Sequence, residues 1–459
     1  MTAKQLVLNI LLLLPLLFIH EVKSTNDDIT NIWYFGCRWY GGSTPTLSCN
    51  CAPEAEKMYI QRNSIPAFDT TIIELHNCPT VHFGPYSIFD LRNLRTIILT
   101  NIRALTFEPN SLSWVGYRDT SINQEKRFDL SIPSLKISIS DSVVSSCGSY
   151  SFEGRINEIS LRNVQVENVE AFAFSNLLQM ENLLLTDVVL RNVKPQAFKK
   201  FGTEFLTLEG VKAEYLPSRT FSNVTVYRTF TVRNCQFNTL RPGTFIINNP
   251  ASFSVLNTEV QQLEGEAFMV TTTGDSLFRN NTFGNVGFHA FMGITLNTNE
   301  VTSSRVITFD SNTFGNLDRY SLEVQPQFEA RVSNLNLNQT CDCEIIVQNL
   351  KQSEFYNDIL CLSPEGRDYV TVKDFKTANC SVLTGYYTIM IAVCVSILVI
   401  CLVVIAFYVY YVMVYKRQKY GCEKGGKPPL SLIVPDGRTY KETELHVIVE
   451  KADLLTTDL

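Results

Sequence analysis

The chain is poor in charge. Charged side chains make up 18% of its 459 residues, below the roughly 25% usual in soluble proteins. Lysine plus arginine (39) fall short of aspartate plus glutamate (45). A net charge of -6 and an isoelectric point near 5.6 leave no basic excess for a nucleic-acid partner. Histidine is scarce: His20, His76, His82, His289 and His446 are the whole set. None is paired with a nucleophile at a recognisable spacing. A P-loop, the kinase signature set and a G-x-S-x-G elbow are all missing. These absences point away from an enzyme, and no cofactor or metal is expected. Cysteine, at 13, is too sparse for a small disulfide scaffold and too frequent for a reduced cytosolic protein.

Charge vanishes altogether over residues 377–415, whose centre reads YTIMIAVCVSILVICLVVIAFYVYY. About 20 apolar residues cross the ~30 Å hydrocarbon core as a helix that satisfies its own backbone. Tyr386, Tyr387, Tyr408, Tyr410, Tyr411 and Tyr415 stand where aromatic belts form, and Lys416, Arg417, Lys419, Lys424 and Lys427 follow at once. Clustered lysine and arginine mark the cytoplasmic side. A transmembrane helix is therefore predicted over 386–415, with a cytoplasmic tail over 416–459. At the other end, Lys4 precedes an apolar stretch over 6–19, with Val22 and Ser24 at −3 and −1 of a cleavage point. This predicts a signal peptide over 1–24. The two segments together predict a single-pass plasma-membrane protein with its N-terminus outside the cell. They also account for a mean hydropathy of +0.03 beside so little charge.

Between them the sequence repeats. INEISLRNVQVENVEAFAFSNLL from Ile156 is followed by MENLLLTDVVLRNVKPQAFKKFG from Met180. Repeat starts fall at about 70, 94, 132, 156, 180, 203, 227, 250, 273 and 304, and apolar residues recur at positions 4, 6, 9, 11, 14 and 19. Positions 4 and 6 share one side of a strand. Positions 9, 11 and 14 are expected to turn the chain around a core, and position 19 to return from the opposite wall. One coil cannot bury its apolar side alone, but a stack builds a continuous core. The column Phe174, Phe198, Phe221, Phe245, Phe268 and Phe291 is expected to be a stacked spine. Insertions near 113–131 and 295–303 should form surface loops.

This pattern resembles the extracellular leucine-rich repeat, with Ala-Phe near position 19, over roughly residues 45–380. The resemblance implies an α/β solenoid: a leucine-rich-repeat stack with disulfide caps, followed by one transmembrane helix. Its layout is a cysteine cap over 25–69, about ten repeats over 70–327 and a second cap over 328–380. Position 9, usually Asn in the family, is Asn only at Asn281 and Asn312; elsewhere it is read as Cys78, Ile102, Ser140, Val164, Val188, Val211, Cys235 and Thr258. A right-handed parallel β-helix, with coils of similar length, is the rival architecture. The frame Cys341, Cys343, Cys361, Cys380, with Cys-x-Ser-Pro at 361–364, resembles the family's C-terminal cap. It implies the pairs Cys341–Cys361 and Cys343–Cys380. Two pairs among Cys37, Cys49, Cys51 and Cys78 are expected at the other end, with the partners unassigned. Cys235 is expected to be a buried free thiol.

In the family, the outward residues of the short strands pave a concave face. Glu158, Arg162, Asp187, Glu209 and Arg233 are the candidate ligand-binding residues there, and their mixed charge suits a protein partner rather than a polyanion. Asn223, Asn280, Asn338 and Asn379 are Asn-x-Ser/Thr glycosylation acceptors. In the tail, Thr457 and Leu459 resemble a PDZ-binding C-terminus, and Glu450 with Leu454 and Leu455 an endocytic sorting signal. Cys422 is placed for palmitoylation. The expected function is that of a cell-surface receptor, co-receptor or adhesion molecule that binds an extracellular protein ligand or itself and engages a PDZ scaffold and an endocytic adaptor. The alternative is a structural, matrix-contacting membrane protein without signalling.

Overall fold

The computed structural model describes residues 35–52, 57–65, 69–114, 133–299, 304–343, 350, 354–366 and 368–420. The signal peptide, most of the first insertion, Cys422 and the tail residues Glu450, Leu454, Leu455, Thr457 and Leu459 lie outside them. The chain divides into two compact units, 1–384 and 385–459.

The first unit is a β-solenoid of about 12 turns. One coil shows how it is made. Met180–Thr186 is the first strand, Val189–Val193 the second, and the third begins at Phe198. Inside each strand the buried side chains point to one core. Leu183 and Leu185 come from the first wall, Leu190 and Val193 from the second, and Phe198 from the third; all are under 8% exposed. Each strand pairs in parallel with its counterpart one coil away. Leu183 lies between Ile159 and Leu206, and Phe198 between Phe174 and Phe221. The first sheet runs without interruption from Thr46–Asn50 to Phe328–Ser333. Stacking therefore begins within the segment expected to be the first cap.

The α/β expectation gives way here to strand on every wall. Among the described residues of 69–340 there is no α-helix. The reason is length: three strands and their corners consume all 23 or 24 residues of a coil, leaving none to wind into helical turns.

The corners have their own residue code. Position 8 holds a left-handed backbone in coil after coil: Asn77, Asn101, Asp141, Asn163, Asp187, Asn234, Asn257, Asn280, Ser311 and Asn334 have φ between 48° and 57°, with Gly210 at 64°. Asn and Asp tolerate this region because their short side chains bond locally. Here the side chains also bond from coil to coil. Asn101 Nδ2 donates to Asn77 Oδ1 at 2.7 Å, and Asn163 Nδ2 to Asp141 Oδ1 at 2.8 Å.

Position 9, one residue on, turns inward. Asn281 Oδ1 accepts the Thr258 N–H at 2.9 Å, and its Nδ2 donates to Val255 O and to Asn312 Oδ1, each at 2.9 Å. Asn312 repeats the arrangement, taking the Asn281 N–H at 3.0 Å. Thr258 Oγ1 and Ser142 Oγ serve the Cys235 and Ile102 N–H groups in the same way. This corrects the register of one coil. Ser142, not Ser140, occupies position 9, because Ile137 and Ile139 pair with Ile159 and Leu161. Asn281→Ala would strand the buried Thr258 N–H and Val255 carbonyl and is expected to cost about 2 kcal/mol. The denaturant midpoint should fall with an unchanged slope, and a loss below about 0.5 kcal/mol would show that the ladder is dispensable.

The phenylalanine spine differs from expectation at both ends. Face-to-face rings begin one coil earlier, at Phe152, and continue through Phe174, Phe198, Phe221, Phe245 and Phe268 with centroids 4.4–5.3 Å apart. Phe291 sits instead among Phe278, Phe283 and Phe309, all edge-on to it.

At each end of the stack an antiparallel strand covers one of the sheets, the first sheet at the N-terminal end and the second at the C-terminal end. Cys37–Tyr40 covers Thr46–Asn50, and Tyr369–Thr371 covers Ile359–Leu362. Exposed parallel edges invite pairing with other chains, and a reversed strand terminates the ladder. Disulfides Cys37–Cys49, Cys51–Cys78, Cys341–Cys361 and Cys343–Cys380 fasten these ends. In the second unit, the helix Ser381–Tyr420, which begins just before the boundary, includes a 31-residue stretch, Tyr387–Arg417, long and apolar enough to cross a membrane.

Candidate binding surfaces

The outer face of the first sheet carries the residues predicted to bind ligand. Along its middle, position 5 is small or uncharged over eight coils: Ser138, Ser160, Leu184, Thr207, Thr231, Ser254, Leu277 and Thr308. Charges flank this strip at positions 3 and 7 and are largely paired between neighbouring coils. Lys136 meets Glu158 at 3.3 Å, Arg233 meets Glu209 at 2.6 Å and Arg279 meets Asp310 at 3.0 Å. Hydrogen bonds from Ser333 and Ser311, with Arg279 beside them, hold the Asp310 carboxyl below its usual range. That contribution is present above the ordinary carboxylate pKa and is lost as pH falls through the depressed value. Arg162 is exposed and has no carboxylate partner among the described residues. Asp187 belongs to the position-8 corner rather than to the flat of the sheet.

A second surface was not anticipated. On the second sheet, outward residues at positions 10 and 12 enclose an open groove of about 730 Å³, with Arg191, Lys212, Glu214, Gln236, Asn238 and Glu259 along its walls and Ala213 and Phe237 in its floor. Glu167 meets Arg191 at 3.2 Å at one end of it. The signal was available at positions 10 and 12, where polar side chains alternate with buried Leu190, Ala213, Phe237 and Val260.

The two free cysteines of the solenoid, Cys147 and Cys235, are closed to chemistry from solution. Cys147 is 3% exposed at position 14 and Cys235 is 1% exposed at position 9. Burial pushes each thiol up to about 12, so neither supplies a thiolate at neutral pH. The lone-histidine sites are equally structural. His82 hydrogen-bonds Glu108 and stacks on Tyr59 with centroids 4.2 Å apart. His76 stands 4.0 Å from Glu74 on the first sheet. Among the described residues no three His, Cys, Asp or Glu side chains gather into a metal-sized group. The four glycosylation acceptors, Asn223, Asn280, Asn338 and Asn379, are all exposed.

Arranged this way, the solenoid presents broad polar faces suited to contact along many coils rather than one deep cleft. Compared with known proteins, the chain matches no family model and no curated protein.

Proposed function

We propose that the protein is a type I cell-surface receptor, co-receptor or adhesion molecule whose leucine-rich-repeat-type ectodomain binds an extracellular protein. The observation that carries this reading is the order of its parts: a solenoid closed at both ends by disulfides, then a 31-residue apolar stretch. Disulfides persist in oxidising compartments. The basic cluster from Lys416 faces the cytoplasm by its charge. Support for the leucine-rich-repeat assignment comes from the inward position-9 ladder at Asn281 and Asn312. The rival β-helix is favoured by the three strands in each coil.

The ligand face is the first sheet around Arg162. Most neighbouring charges are spent on one another, whereas Arg162 has a free guanidinium beside the uncharged strip. Interface energy concentrates in few residues, arginine prominent among them. With the full-length protein displayed on cells, Arg162→Ala should weaken ligand or homotypic binding about tenfold or more, equivalent to about 1.4 kcal/mol. Arg233→Ala should do less, because its charge is already met by Glu209. Equal, negligible effects would move the site off this sheet. Removing the tail separates signalling from anchoring: a receptor falls silent, and a matrix-contacting protein keeps its adhesion.

A further inference from the structure

A small groove lies at the end of the second sheet, in the coils that start at 250, 273 and 304. It holds about 430 Å³ and is lined by Gln262, Asn285, Asn316, Asp318 and Phe288 over Gly265 and Gly287. Phe288 is 52% exposed. Its ring is held in place by His289, with centroids 3.7 Å apart, and by Tyr320 edge-on at 5.9 Å. His289 is in turn fixed by Glu323 at 3.4 Å. The ring is thus held as a pre-set apolar face at the side of the groove, open to contact.

The polar wall is a run of amides in register. Gln339 Nε2 donates to Asn316 Oδ1, and Asn316 Nδ2 donates to Asn285 Oδ1 at 2.7 Å. The chain of donors ends at Asn285, whose own Nδ2 has no protein partner among the described residues, and Gln262 beyond it has none for its amide. Paired planar amides beside an aromatic face match the hydroxyls and apolar C–H faces of a sugar, and the two carboxylates of the lining, Asp318 and the Arg241-paired Glu264, add hydroxyl acceptors.

The same register supplies the sugar. Thr313 pairs with Asn336 and Phe314 with Leu337, so the acceptor Asn338 follows in line with Gly315. Gly315 in turn lies in line with Gly284. A Cβ on Gly315 would stand 2.3 Å from Gly284 O, and one on Gly284 2.4 Å from Gln261 O. The two coils beside Asn338 thus offer bare backbone, and no side chain at that position bars the way to the groove. Adjacent strands are about 4.8 Å apart, so a few sugar units span the distance.

We propose that the oligosaccharide N-linked to Asn338 folds back over Gly315 and Gly284 and packs in this groove, stacking on Phe288 and bonding Asn285 and Gln262. The inference rests on the extracellular placement above. The tether replaces affinity: an attached group sits at millimolar effective concentration, so weak contacts suffice to hold it.

The test uses full-length protein made in a secreting eukaryotic cell, treated with an N-glycan-releasing enzyme without denaturation, with release followed at each asparagine by glycopeptide mass spectrometry. Release at Asn338 should be about three- to tenfold slower than at exposed Asn223, the range expected of one aromatic contact. Phe288→Ala should remove the difference, and Asn285→Ala, also at an exposed site, should reduce it. A glycan on Asn338 released as fast as that on Asn223 overturns the proposal and leaves the extracellular placement standing. So does an unoccupied Asn338 among occupied acceptors. Four unoccupied acceptors overturn both.

Discussion

Phe198→Ala is expected to destabilise the solenoid by about 3–5 kcal/mol, the cost of a large side chain removed from a core that cannot collapse around the gap. The ring is 1% exposed and lies between two others, Phe174 at 4.6 Å and Phe221 at 4.4 Å. Its backbone is paired on both sides in the third sheet, so neighbouring coils cannot close in to fill the void. A solenoid adds a further expectation. Each coil touches only its neighbours, and stability is approximately a sum over coils and their interfaces. The damage should therefore be local. Amide exchange should accelerate in the strands that begin at Phe174, Phe198 and Phe221 and stay near wild type in Ile72–His76 and Arg305–Asp310. The control is Phe288→Ala, where the ring is half in water and the fold should lose little. A uniform rise in exchange along the whole chain would contradict the one-dimensional picture.

The repeat was legible because each coil must place apolar residues at the same points of a shared core, and leucine, valine and phenylalanine record that demand every 23 or 24 residues. What the period leaves open is the shape of the walls. Val188, Leu190 and Val193 are compatible with a turn or with a short strand, and only pairing to the next coil makes them a sheet. The two-residue slip in the coil of Leu135 has a related cause. Leu135, Ile137 and Ile139 alternate with polar residues, and a shift of two preserves which side faces the core. The preceding insertion removed the fixed spacing that anchors the other coils. Pairing of Ile137 with Ile97 and with Ile159 decides it.

The binding surfaces were less legible for a different reason. Glu158, Arg162, Glu209 and Arg233 could be assigned to one face from strand alternation alone. Which of them remain free depends on contacts between coils, and those place Glu158 against Lys136 and Glu209 against Arg233 while leaving Arg162 unmatched. The grooves on the second sheet are assembled from residues 23 to 31 positions apart, so no local window contains them. The position-8 column is the opposite case. Asn77, Asn101, Asn163, Asn234, Asn257 and Asn280 stood in the sequence at a constant phase, and their meaning follows from the tolerance of asparagine for a left-handed backbone.

Removal of the Cys343–Cys380 bond by the double substitution Cys343→Ser and Cys380→Ser should cost about 4 kcal/mol. The bond closes a separation of 37 residues, the longest of the four, and the entropy restored to the unfolded chain grows with the logarithm of that length. Cys37–Cys49, with a separation of 12, should be worth about 3 kcal/mol by the same relation. The site makes the larger loss consequential. The C-terminal segment carries buried Phe355, Ile359, Val372 and Phe375 onto the open end of the core, and Phe355 meets Phe309 edge-on at 5.1 Å. Without the bond this plug is held by packing, by pairing of the Ile359–Leu362 strand and by the remaining Cys341–Cys361 bond within that strand, which leaves Val372 and Phe375 untethered. When it lifts, Phe309 and Leu337 face water beside an unpaired parallel edge, which is the arrangement that recruits other chains. The variant should therefore show faster exchange in Leu335–Thr340 and concentration-dependent association before it shows global unfolding. A double variant that loses less than about 1 kcal/mol and does not associate would mean that the packing of Phe355 and Phe375, with Cys341–Cys361, closes the stack without this bond.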